Sequence, residues 1–101
     1  MNTYIGICDS QHWYEITKNG TPFDPRPSQK LYNHSPDGFS WSYYGSGPAQ
    51  LALGILLEET GDPEVALKHY MDFKREVIAS LPCEKFEMTS QHVVDWLAKQ
   101  K

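Results

Sequence analysis

Arginine, cysteine and long apolar runs are what this 101-residue sequence has least of. Arginine occurs only as Arg26 and Arg75, and nine Lys and Arg stand against thirteen Asp and Glu, for a net charge of -4. Binding along DNA or RNA needs a basic face that displaces counterions, so a long nucleic acid is excluded as a partner. Guanidinium recognition of phosphate also has few candidates. Cys8 and Cys83 are too few for a disulfide framework, and both thiols are expected to be reduced. The longest apolar stretch, residues 51–57, contains Gly54 and is far too short to cross a bilayer. The opening MNTYIGICDS has neither the basic region nor the apolar run of a secretory signal. These absences point to a cytoplasmic protein with no membrane partner. His12, His34, His69 and His92 are scattered and show no zinc-ligand spacing, so neither a metal nor a cofactor is expected.

What is present fits one domain over 1–101, with two halves of different character. Residues 1–47 hold nine of the thirteen aromatics and five of the seven glycines, and read as short strands and ordered loops. Tyr4, Ile5 and Ile7 suit a first strand. Trp13, Tyr14, Ile16 and Thr17 suit a second that stops at Asn19-Gly20, a tight-turn pair. Residues 21–38 carry four prolines, too many for a helix or a central strand. Residues 39–44 alternate Phe39, Trp41 and Tyr43 with Ser40, Ser42 and Tyr44, which predicts a third strand.

The second half reads as helical. Pro48 and Gly61 bracket a helix over 48–60, whose apolar residues leave only a narrow stripe at Gln50, Gly54 and Glu58. Asp62 and Pro63 open another helix to about Leu81, closed by Pro82, and the short link makes the two an antiparallel hairpin. Phe86 and Met88 alternate with Glu87 and Thr89 as a short strand, and Thr89 or Ser90 caps a last helix. The expected class is α+β: a small, mostly antiparallel sheet of three or four short strands packed on the helical hairpin, plus a C-terminal helix.

The segment with most chemical content is NHSPDGFSWSYYGSGPAQLAL, residues 33–53. Gly45, Ser46 and Gly47 lead directly into the helix at Pro48, and amides at a helix start are unpaired and favour an anion. Trp41, Tyr43 or Tyr44 would stack on a planar ring, and His34 and Lys30 would add cationic or polar groups. Gln50 occupies the place of the third glycine of a dinucleotide fingerprint, and no P-loop lysine follows. The same residues also suit a plain helix start, with Ser46 or Gly47 as cap and Gln50 closing a capping box. The acids Glu58, Glu59, Asp62 and Glu64 lie about 15–20 Å along the helix from its start, too far to forbid an anion there.

Catalysis has less support. His34 and Asp37 flank a type I turn, Ser35-Pro36-Asp37-Gly38, but no nucleophile, base and orienting group stand together. The leading reading is a non-enzymatic module that holds a small phosphorylated or nucleotide-like ligand at the Gly-Ser-Gly turn. The alternative is an interaction or inhibitor domain that contacts a host protein through exposed aromatics or the acidic turn. The oligomeric state is left open.

The run SPDGFSWSYYGSGPAQLAL also resembles an uncharacterised family of small bacterial and phage proteins with the signature SPxGFxWxYxGSGPAQLAL. It is matched here at Ser35, Pro36, Gly38, Phe39, Trp41, Tyr43 and residues 45–53. Ser42 and Tyr44 stand where that pattern has glycines. The resemblance implies no assigned activity; it implies an accessory or counter-defence role in a phage or mobile element.

Overall fold

The computed structural model describes residues 1–11 and 13–100, so the expectation for His12 lies outside the described residues. The class is α+β, with a four-stranded antiparallel sheet and four α-helices. The chain forms two compact units, one built from Met1–Phe23 with Glu84–Lys101 and the other from Asp24–Cys83.

The first unit holds the sheet. Strands β1 (Thr3–Cys8), β2 (Tyr14–Lys18), β3 (Thr21–Pro22) and β4 (Lys85–Thr89) lie in the order β3-β2-β1-β4. The period of two is visible in burial: Tyr4, Gly6 and Cys8 of β1 and Phe86 and Met88 of β4 are buried, while Ile7, Lys85 and Glu87 are exposed. Register follows from these faces, with Tyr4 opposite Met88 and Gly6 opposite Phe86. Asn19 and Gly20 take φ of 53° and 84°, the tight turn their sequence predicts, and return the chain into β3. The Tyr4 and Phe23 rings meet edge-on at 5.2 Å. Helix α4 (Ser90–Ala98) follows β4 without a loop, because Thr89 Oγ1 accepts from the His92 amide and His92 Nδ1 accepts from the Thr89 amide.

The second unit is helical: α1 (Arg26–Leu31), α2 (Ser46–Thr60), α3 (Pro63–Glu76) and a 3₁₀ turn over Ile78–Ser80. Helices α2 and α3 pack as the expected hairpin, with Gly61 ending one and Asp62 Oδ1 capping the Glu64 amide of the other.

Three expectations fail here, each for a physical reason. Residues 21–38 do contain a helix, α1, because Pro25 is its N-cap and Pro27 lies in its first turn, where the missing amide breaks no helical bond. Residues 39–44 form no strand. Ser42 has φ of 76°, which interrupts an extended run, and burial does not alternate: Ser40 and Trp41 are both buried, while Tyr43 and Tyr44 are both exposed. The helix expected to reach Leu81 ends at Glu76. A continued helix would aim the Ile78 carbonyl at residue 82, and Pro82 has no amide to give it. That carbonyl accepts from Ser42 N at 3.1 Å instead.

Candidate functional site

The ordered segment before α2 is organised by one side chain. Gln50 is fully buried, although the sequence places it on the polar stripe of its helix. Its Oε1 accepts from the amides of His34 (2.7 Å) and Ser35 (3.0 Å). Its Nε2 donates to Ser28 Oγ (2.9 Å) and to the Tyr32 carbonyl (3.2 Å). Ser28 Oγ in turn donates to the Pro25 carbonyl at 2.8 Å. Gln50 therefore closes no capping box. It ties α1 and residues 32–35 to the N-terminal part of α2, with every polar atom of its amide engaged.

The Gly-Ser-Gly turn leads into α2 with Gly45 as N-cap and no side-chain cap. Helix α2 begins at Ser46, and Pro48 is its third residue rather than its first. The glycines are accounted for by the protein's own side chains. A Cβ on Gly47 would lie 1.8 Å from Ser40 Oγ, and one on Gly45 would lie 2.7 Å from the Tyr43 ring. Tyr43 OH and Ser40 Oγ share a hydrogen bond of 2.8 Å, so the two close over the turn together. Ser46 is exposed.

The three candidate stacking residues part company. Trp41 is fully buried and its indole donates to the Cys83 carbonyl at 3.1 Å, which makes it a core residue with no open face. Tyr43 is 45% exposed and Tyr44 71% exposed. Tyr32, just after α1, is a third exposed tyrosine at 56%.

His34 is paired with Tyr70 of α3, its Nε2 lying 2.7 Å from the phenol oxygen, and not with Asp37. The Tyr32 ring stacks on the imidazole, with centroids 4.3 Å apart and planes 10° apart. Burial pushes the His34 pKa below its ordinary value and the Lys74 ammonium lowers it further. Burial, then Tyr32, pushes the Tyr70 hydroxyl up. The pair is thus held neutral, and a hydrogen bond between two neutral groups ties the loop to α3 without activating either as a base or nucleophile. The sequence gives no sign of the partner of the Tyr70 hydroxyl. The polar tip of the tyrosine is the only hint.

Among the cations, Lys30 is exposed in the last turn of α1. Arg26 is engaged by Asp24, with Nε and Nη2 donating to the two carboxylate oxygens at 2.9–3.1 Å, which holds the Asp24 carboxyl below its usual pKa. Among the described residues no three His, Cys, Asp or Glu side chains are grouped as a metal site requires. No helix among the described residues is long and apolar enough to cross a membrane.

No match was found among the curated proteins or the solved structures compared with this chain. A family model described as a family of unknown function, DUF6166, matches residues 6–99, nearly the whole sequence. The chain therefore belongs to the DUF6166 family.

Proposed function

We propose that this chain is a non-enzymatic binding module whose contact surface is the tyrosine-bearing segment between α1 and α2, and that its occupant is a protein. The observation behind this reading is preorganisation. Tyr32 and Tyr44 project from a segment that Gln50 and the bond from Ser42 N to the Ile78 carbonyl already hold in place. Tyrosine offers large contact area and a polar tip at little entropic cost, which is why it recurs among binding hot spots. A loop ordered before binding also loses less freedom on binding. An accessory or counter-defence role acting on a host protein is the setting that suits this reading.

A second reading keeps a small phosphorylated or nucleotide-like ligand at the start of α2, with Tyr44 as a stacking wall and Lys30 and His34 nearby in sequence. It is supported by the exposed Ser46 and by a helix start that no side chain caps. It is disfavoured because Ser40 and Tyr43 fill the space that the glycines would offer a phosphate.

Capture from a host cell extract, quantified by mass spectrometry, separates the two when run beside thermal shifts with a nucleotide panel. The expected result is a protein retained by the wild type and by a Lys68→Ser control but lost with Tyr32→Ser/Tyr44→Ser, and no nucleotide that raises Tm. A nucleotide-dependent rise in Tm that Tyr44→Ser abolishes would favour the second reading instead.

A further inference from the structure

We propose that the outer edge of β4 is a docking site for the same edge of a second copy of this chain, giving a two-fold dimer with a continuous antiparallel sheet. The argument starts from ladder geometry. In an antiparallel pair, alternate residues direct both backbone groups at the partner strand, and the residues between direct them away. Cys8 N donates to the Glu84 carbonyl and Ser90 N donates to the Asn2 carbonyl, so the even-numbered residues of β4 face β1. Lys85, Glu87 and Thr89 therefore point their N–H and C=O groups outward.

The Thr89 amide is taken by His92 Nδ1. Among the described residues nothing bonds the outward groups of Lys85 and Glu87, and within its unit β4 makes its main contacts with β1 and α4. The opposite edge, β3, is two residues long and ends in Pro22, which has no amide to donate. Among the described residues of this unit, β4 is therefore the sheet edge of useful length whose outward groups are unpaired.

Charge selects the occupant and the register. Pairing about a two-fold axis at Phe86 sets Lys85 opposite Glu87 of the second copy, and Glu87 opposite Lys85. Both are narrow pairs that exchange N–H···O=C bonds, four in all, with opposite charges on the same face. Shifting the axis to Glu87 would set Glu87 against itself, a like-charge pair that disfavours that register. The edge is thus complementary to itself, as a two-fold interface requires.

The test uses the full chain, with mass measured by light scattering and sedimentation from low to high micromolar concentration. The wild type should associate to dimers. Lys85→Glu and Glu87→Lys should each weaken association about tenfold or more by placing like charges opposite each other, and the double swap Lys85→Glu/Glu87→Lys should restore it. Glu87→Pro removes an outward amide but none of the β1 ladder, and should be monomeric with unchanged circular dichroism. A wild type that stays monomeric throughout overturns the proposal, whether or not some peptide pairs with β4. So does a dimer that a folded Glu87→Pro retains, or a double swap no tighter than the single reversals. Should Glu87→Pro fail to fold, the charge series decides alone.

Discussion

Gln50 and Gly47 show how two residues fix the segment before α2. Replacing Gln50 by Leu keeps the volume but strands the amides of His34 and Ser35 and the Tyr32 carbonyl, each worth about 1–3 kcal/mol if left without water. Partial rehydration reduces the sum, so Gln50→Leu should cost on the order of 3 kcal/mol in urea unfolding. A loss below about 1 kcal/mol would show that the network contributes little. Gly47→Ala tests the turn in a different way. The added methyl overlaps Ser40 Oγ far more severely than Ser40 Cβ, which lies at 3.0 Å. The single variant should lose about 2 kcal/mol, and Gly47→Ala/Ser40→Ala should recover part of it relative to Ser40→Ala alone. Strict additivity in that cycle would contradict the contact.

At the scale of elements, what could be read from the sequence was what depends on neighbours along the chain. The alternation of Phe86 and Met88, the Asn19-Gly20 pair, the Asp62-Pro63 opening and the Thr89 cap are local signals, and each marks an element boundary or face in the structure. The segment at 39–44 misled because alternation measures the spacing of large side chains and is blind to φ. Trp41 is buried by its bond to Cys83, 42 residues away, and Ser42 bends to meet Ile78. Gln50 was misplaced for the same reason: its partners lie 15–22 residues earlier, and no helical period encodes them. The candidate segment was thus legible as a region, while the roles of Trp41 and Gln50 within it, and of Tyr70 against His34, were not. The bend itself is testable. Ser42 sits in the left-handed region, where a Cβ costs roughly 1 kcal/mol. Ser42→Gly should therefore raise stability slightly, by up to about 1 kcal/mol, since the bonding amide is kept. A clear loss would mean that the Ser42 side chain has a role beyond its backbone.

For the whole molecule, His34 links stability to pH. Its folded pKa lies below the ordinary 6.5, so above about 6.5 the imidazole is neutral folded or unfolded, and its contribution is fully present. As pH falls from there, the unfolded chain takes up the proton first, and stability is lost until the folded pKa is passed. As pH falls below about 6.5, the wild type should lose stability more steeply than His34→Asn, by at most about 1.4 kcal/mol per pH unit for one proton. Parallel curves would show that His34 is not held neutral by the fold. The net charge of -4 is then less informative than where charge is placed, since Lys85 and Glu87 alternate along one strand edge. The division of the chain has a consequence for synthesis. The helical unit is one continuous stretch, Asp24–Cys83, and its contacts are complete once that stretch has left the ribosome. The sheet unit is discontinuous: β1 is made before the helical unit, yet its neighbour β4 arrives only after the whole helical unit has been translated. Until then one flank of β1 has no partner strand. Closing it across an insert of about 60 residues costs only a few kcal/mol of chain entropy if the insert is already folded and its ends are held. Vectorial synthesis therefore favours folding of Asp24–Cys83 before the sheet unit is completed.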